Sequence, residues 1–314
     1  MPKELSQKAD LALADLSSNG GLLDAEQNDR FIQNLTDTDT IMRLIRTVPM
    51  NSSSQKINKI GFGSNIMKPA SQNSAASTAL HAGRRLTEAH RSKPTTSQVV
   101  MNTSEVMAEV RFGYEVLEDN IEKGNLENTL LAMISNKMAE ELEKLLIQGD
   151  AGATGGVDPW LDLFDGLLEL STARIYDAGG APASASVFNT AMKLLPTKYR
   201  ANKNAMRWMS SMDTESDYRL AVASRGTGLG DAVLTGNAPL PVLGVPMIGA
   251  AFMPNSKMLF TNPQNCIFGV QRNIRLETDR DISAREVLIV VTMRIAVAIE
   301  ETDAVVKVIN LGAA

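Results

Sequence analysis

The chain has 314 residues, 44% hydrophobic but only 4% aromatic, with 31 basic against 36 acidic side chains and a net charge of −5. A lone Cys266 and two histidines, His81 and His90, exclude an internal disulfide, a CxxC pair, a four-cysteine zinc site and most other metal centres. No apolar run reaches the roughly 18 residues of a membrane helix, the N-terminus has no apolar signal core, and an acidic chain with few aromatics is a poor general nucleic-acid binder. The expected compartment is a reducing cytoplasm.

In chain order, the stretch to about Ile45 predicts two short helical pieces split by Ser17-Ser18-Asn19-Gly20-Gly21, an arm without a core of its own. Residues 57–104 are small and polar, with extended pieces such as Gln98-Val99-Val100-Met101. A structureless loop of that length is improbable inside one domain, so the segment is either disordered or a long hairpin ordered by a neighbour. Val106, Ala108 and Val110 then alternate with polar residues, predicting a strand from Glu105 to about Tyr114. Asn125 caps a predicted long helix in which Leu126, Leu130, Ile134, Met138 and Leu142 recur every four residues, with Glu140 and Lys144 as an i,i+4 pair and Gly149 as its end.

A second helix is predicted after Ser186, stopping at Pro196, and a strand over Met206-Arg207-Trp208-Met209. Thr214, with Glu215 and Asp217 in the first turn, predicts a third helix closed by Gly226, Gly228 and Gly230. Seven apolar residues at every second position from Val287 to Ile299 predict a strand with one clean apolar face. Together with Ile274-Arg275-Leu276-Glu277 and a turn at Asp279-Arg280-Asp281, it predicts a long antiparallel hairpin.

Charge is segregated along this order. Residues 1–55 are net −3; residues 56–111 set Lys56, Lys59, Lys68, Arg84, Arg85, Arg91, Lys93 and Arg111 against three glutamates, net +5. Residues 112–150 reverse the sign at net −6, with Glu115, Glu118, Asp119, Glu122 and Glu127 among nine acids, while 151–314 is nearly balanced. Segments of opposite sign can fold onto each other, meet on neighbouring copies, or remain solvated faces.

No constellation for catalysis emerges. A phosphate loop needs GxxxxGK[ST], which the glycines of 149–156 lack; Gly226-Thr227-Gly228-Leu229-Gly230 has the wrong spacing for a dinucleotide loop, and there is no GxSxG elbow. His81 and His90 read as surface histidines, Trp208 among methionines as core, and Cys266 as a small buried apolar residue.

Several stretches together resemble the major capsid proteins of tailed bacteriophages, the Hong Kong phage fold shared with encapsulin shells. They are Glu105-Val106-Met107-Ala108-Glu109-Val110, then Leu117-Glu118-Asp119-Asn120, the long helix and Gly149-Asp150, with Ala151 where that family usually has a second glycine. Phe164-Asp165-Gly166-Leu167-Leu168 resembles a family strand, Trp208-Met209-Ser210 with the following helix resembles the axial core, and Leu243-Gly244-Val245-Pro246 resembles a further strand. The Arg294 strand and Asp303-Ala304-Val305-Val306 resemble the usual ending.

The resemblance implies an α+β fold. Its parts are an N-arm over 1–55, an extended loop with the start of the peripheral domain over 56–111, and a peripheral domain with a long spine helix over 112–180. An axial domain over 181–263, the peripheral long antiparallel hairpin over 264–299 and a C-terminal strand over 300–314 complete it. It also implies a non-enzymatic structural protein without cofactors that self-assembles as hexamers and pentamers into an icosahedral head around double-stranded DNA. The expected location is the virion, assembled in the host cytoplasm. Implied partners are further copies of itself, a separate scaffolding protein, a portal protein, a decoration protein in some particles and weakly held DNA, with no membrane. The twelve charged residues Lys56, Lys59, Lys68, Arg84, Arg85, Arg91, Lys93, Glu115, Glu118, Asp119, Glu122 and Glu127 are the candidate contacts between subunits. The alternatives are an encapsulin-like compartment around a protein cargo and, from another class, a cytoplasmic enzyme with scattered carboxylates.

Overall fold

The computed structural model describes residues 10–11, 41–62, 65–68, 81–82, 85–115, 126–152, 158–224 and 240–312. Contacts divide it into two units, residues 54–102 and the remainder of the chain. Most of the arm and the glycines at 226–230 lie outside the described residues; where the arm is described the helical reading is corrected, because Asp10–Leu11 is a strand paired with 111–112 and residues 41–45 form a turn.

In the larger unit the first elements are β1 (Asp10–Leu11) and β2 (Arg46–Pro49). Between Ser53 and Thr103 the smaller unit interrupts it. That unit holds β3 (Ser54–Phe62), the short pair β4 (His81–Ala82) and β5 (Arg85–Leu86), and β6 (Pro94–Asn102). Antiparallel pairing of β3 with β6 runs without a slip from Ser54↔Asn102 to Phe62↔Pro94, and β4 pairs with β5. Of the two readings left open by the sequence, the β3–β6 pairing matches the hairpin over 54–62 and 94–102, while residues 63–64, 69–80 and 83–84 lie outside the described residues.

The chain continues through β7 (Ser104–Gly113), α1 (Leu126–Gln148), the four-residue α2 (Leu167–Leu170), β8 (Ile175–Asp177), α3 (Ala185–Leu194) and α4 (Thr197–Arg200). Next come β9 (Arg207–Ser211), α5 (Met212–Ala223), β10 (Pro241–Val242), β11 (Val245–Ala250) and β12 (Met258–Thr261). The last strands are β13 (Cys266–Asp281), β14 (Glu286–Ile299) and β15 (Val306–Ile309).

Two sheets organise these strands. One has the order β1-β7-β14-β13-β2, antiparallel in its centre with β1 and β2 added in parallel at the edges. Period-two alternation dictates its packing: Val287, Ile289, Val291, Met293 and Ile295 are buried, and they share one core with Met138, Leu142, Leu145 and Leu146 of α1. The apolar face continues through Val297 and Ile299, which join the same core, as the seven-residue alternation predicts. Val297 is only partly buried, whereas Ala296 and Ala298 are buried, because this end of the sheet is covered on both sides. A Cβ on Gly269 would stand 2.6 Å from the Met50 sulfur and 3.4 Å from Ala296 Cβ, so small residues here make room for Met50. The hairpin turn is shifted from the sequence reading: β13 runs through Asp281 and the turn is 282–285. Asp281 Oδ1 organises it by accepting from Ser283 N, Ser283 Oγ and Ala284 N.

The other sheet has the order β10-β11-β9-β12-β15-β8, drawing in residues 175–177 and 306–309 from either side of the 181–263 segment. Its core is aromatic: Trp208 stacks on Phe260 with centroids 4.3 Å apart and meets Phe188 edge-on at 4.9 Å. Ser184 caps α3 and Ser211 caps α5, each accepting from the backbone N–H three residues on, so both helices start one to three residues earlier than the sequence signals implied. Leu243-Gly244 is a two-residue turn between β10 and β11, with φ of 51° and 81°, and only Val245 onward is strand.

Two further readings are corrected. Phe164–Leu168 is not a strand: Gly166 begins α2, and its carbonyl accepts from Glu169 N and Leu170 N. Glu140 pairs not with Lys144 but with Lys137 at 3.0 Å, while Lys144 reaches Asp158 at 2.6 Å and lies 5.4 Å from the Trp160 ring centre. A long-range acid beyond the helix end displaces the local pair.

Candidate assembly surfaces

The smaller unit carries most of the described basic candidates. Strict pairing of β3 with β6 puts Lys56, Asn58, Ile60 and Phe62 on one face, opposite Val100, Gln98, Thr96 and Pro94. This face is exposed, although half of its residues are apolar: Ile60 is 75% exposed and Phe62 55%. Beyond the strand Ile66 and Met67 are 58% and 91% exposed. Large apolar side chains grouped in this way mark an interaction surface. Sequence reasoning missed them because an isolated isoleucine in a polar segment reads as a core anchor; the only available signal was the period-two spacing of Ile60 and Phe62.

Among the charged candidates, Lys56, Arg91 and Lys93 are exposed and Lys59 and Lys68 half-buried. Lys93 approaches Glu88 at 3.8 Å, and Arg91 Nε donates to Leu86 O at 3.1 Å. Glu115, just past β7, is exposed. Arg84, Glu118, Asp119 and Glu122 lie outside the described residues; Arg85 falls on β5 and Glu127 on α1, with side chains outside the description.

The open face of the five-stranded sheet carries a charged row that sequence reading did not connect. Register places Glu105 of β7 beside Arg294 of β14, and Arg294 beside Arg272 of β13. Glu105 accepts from Arg272 at 2.6 Å and Arg294 at 2.9 Å, and these hydrogen bonds hold its carboxyl below the usual range.

Glu143 is fully buried on α1, and its Oε1 accepts from Ile41 N at 3.1 Å, fixing the point where the arm meets the core. Glu143→Ala leaves that buried N–H without its acceptor, and the expected cost is about 2 kcal/mol, read as a lowered urea midpoint of the subunit. An unchanged midpoint would remove this tether from the account.

Nothing reactive accompanies these surfaces. Burial pushes the Cys266 thiol up to about 12, keeping it protonated and inert. Lys307 is buried on β15 with Nζ donating to Leu168 O at 2.8 Å, and burial lowers its pKa. No metal-holding group of acids, histidines or cysteines occurs among the described residues, and no described helix is long and apolar enough to cross a membrane.

Comparisons with known proteins place this geometry. The chain matches the capsid of a native GTA particle, computed with C5 symmetry, over 96% of its own length and 100% of that chain, with a TM-score of 0.65 and 18% identity. It also matches the holo-SrpI encapsulin of Synechococcus elongatus PCC 7942 over 96% of its own length and 97% of the other, with a TM-score of 0.62 and 13% identity. At such identities the likeness shows the fold, the one shared by phage capsids and encapsulins. The phage capsid family matches residues 19–309, and a putative prophage capsid protein, YqbE of Bacillus subtilis strain 168, is 36% identical over 98% of both chains. The chain belongs to the phage capsid family and is a structural protein of that class.

Proposed function

We propose that the chain assembles as hexamers and pentamers into an icosahedral head that encloses double-stranded DNA. The observation that carries this is the hairpin unit, a two-stranded element whose exposed face presents Ile60, Phe62 and Val100 with Lys56. An isolated two-stranded ribbon is marginal in water, so a neighbouring copy that covers its apolar face would also stabilise it. Its partner in this reading is the acidic 112–150 segment of the next subunit, where Glu115, Glu118, Asp119, Glu122 and Glu127 would face Lys56, Lys59, Lys68, Arg84, Arg85, Arg91 and Lys93. Apolar contact supplies affinity and charge supplies register. A separate scaffolding protein, a portal protein and, in particles that carry one, a decoration protein would complete the head, assembled in the host cytoplasm.

Similarity at 36% over nearly the whole length to a prophage capsid protein favours the DNA-filled head over a cargo compartment. Sedimentation and negative-stain microscopy of purified protein test this. Sixty copies of a 33.9 kDa chain make a particle of roughly 2 MDa, the minimum closed icosahedral shell. Closed shells that loosen as salt rises are the expected result; only monomers and small oligomers, with scaffold present, would overturn the proposal.

A further inference from the structure

The balanced charge of residues 151–314 conceals a local imbalance. Between Asp177 and Asp213 the sequence has five cations (Lys193, Lys198, Arg200, Lys203 and Arg207) and no acid. These residues lie on α3, α4, the 203–205 turn and the first position of β9. Burial of Val187, Phe188, Ala191 and Met192 against the aromatic core turns the opposite stripe of α3 outward, and that stripe is Ser186, Asn189, Thr190 and Lys193, all exposed. Lys198 and Lys203 extend the same donor-rich character beyond the helix and are exposed as well.

Several cations elsewhere in the larger unit are matched by acids, as in Arg46–Glu300, Lys144–Asp158 and Arg219–Glu215. None of the five here forms an ion pair with a described residue. Arg200 donates to Thr197 Oγ1, and Arg207 donates to Asn204 O and Met206 O, so those two also serve the local fold. The acids that act on Lys198 are Glu301 and Asp303, and Asp303 is already held by Arg174 at 3.1 Å. What remains is a surface of amide and ammonium donors beside the Ser186 and Thr190 hydroxyls, of which Thr190 Oγ1 already donates to Ser186 O at 3.0 Å, with no competing carboxylate in its sequence span.

Resting on the reading of the chain as the wall of a DNA-filled head, we infer that this surface binds nucleic-acid backbone and so faces the packaged duplex. Ser, Thr, Asn and Lys side chains are the ordinary phosphate donors, and they fix a backbone without reading sequence. Contact between protein subunits is the poorer fit, since interface cores deplete lysine and enrich aromatic side chains, whereas here Phe188, Trp208, Tyr218 and Phe260 are buried in the interior and half-buried Tyr199 lies under Lys198, whose Nζ is 4.4 Å from its ring centre. Three lysines per subunit is a modest charge, so each site holds DNA weakly while the repeated wall holds it collectively.

The test uses the full-length protein, a fluorescein-labelled random-sequence duplex and a salt titration. A Lys193→Gln, Lys198→Gln, Lys203→Gln variant is compared with a Lys137→Gln, Arg275→Gln, Arg280→Gln control of equal charge change, at exposed positions outside both proposed surfaces. The expected result is that the first variant loses about 2 to 3 from the slope of log affinity against log salt, and about tenfold or more in affinity at low salt, while the control stays within about twofold. Equal losses in the two variants, an unchanged slope in the first, or no DNA binding by the parent protein at low salt would each overturn the inference. Shell formation is followed in parallel by sedimentation. A first variant that binds DNA normally but no longer assembles marks the surface as a contact between copies, against the inference. A parent protein that forms shells but ignores DNA sinks the inference and leaves the assembly proposal standing.

Discussion

Serine at Ile60, Phe62 and Met67 together is expected to abolish shell formation while leaving the subunit folded. All three side chains already stand in water in the single chain, at 75%, 55% and 91% exposure, so removing them takes nothing from the subunit's own cores. Burying each in a contact is worth about 1.5 to 3 kcal/mol, so the triple variant forfeits several kcal/mol for every copy of the interface, more than 100-fold in association. A closed shell repeats that loss at every hairpin. Sedimentation velocity reads assembly, and the urea midpoint with circular dichroism reads the fold. Wild-type shells from the variant at the same protein concentration would refute the assignment of this face to a neighbouring copy. Loss of both shell and fold would mean that these side chains support the subunit itself.

Gly166→Ala is expected to destabilise the larger unit strongly for a single added methyl group. Gly166 N donates to Gly149 O at 2.7 Å, so two backbone segments touch directly where the end of α1 meets the start of α2. A Cβ on Gly166 would lie 2.7 Å from Gly149 N, 2.8 Å from Leu146 O and 2.9 Å from Leu145 O; one on Gly149 would lie 2.3 Å from Phe164 O. All of these are backbone atoms in a buried turn and cannot swing aside. The expected cost is about 3 kcal/mol, seen as a lowered urea midpoint. Gly113→Ala is the control, because nothing lies within 4 Å of its added Cβ; it should stay within about 0.5 kcal/mol. Equal midpoints for the two variants would dismiss the close-approach argument.

Legibility of the fold in the sequence followed how one-sided each environment is. Val287 to Ile295 and the stripe of α1 were readable because each buries one face against the other, and a single period describes that. The pattern was incomplete where burial came from two sides, as at Ala296 and Ala298, or where a distant group displaced a local one, as Asp158 does for Lys144. Turn positions slipped for a related reason. Asp281 looks like a turn residue and does organise the turn, but from the last position of the strand, through its side chain. For the candidate surfaces, charge segregation was legible because it needs only counting. The apolar half of the hairpin face was not, since exposure of Ile60 and Phe62 depends on which face of β3 the fold leaves bare. The row of Glu105, Arg294 and Arg272 required a register across three strands, which single-strand periodicity does not contain.

The position of β15 has a consequence for the order of events during synthesis. This strand sits between β12 and β8, so Ile175–Asp177, made some 130 residues earlier, has no place in the sheet until Val306–Ile309 has been translated. The same strand brings the Lys307 ammonium that caps Leu168 O, and Val306 and Val308 that complete the core around Trp208. A chain translated only as far as β12 therefore lacks both the finished sheet and the anchor beneath α2. Polysomes concentrate many such chains in a small volume, where early association would trap misplaced copies. A late-arriving strand delays completion of the subunit's own sheet, which places that step before assembly in time.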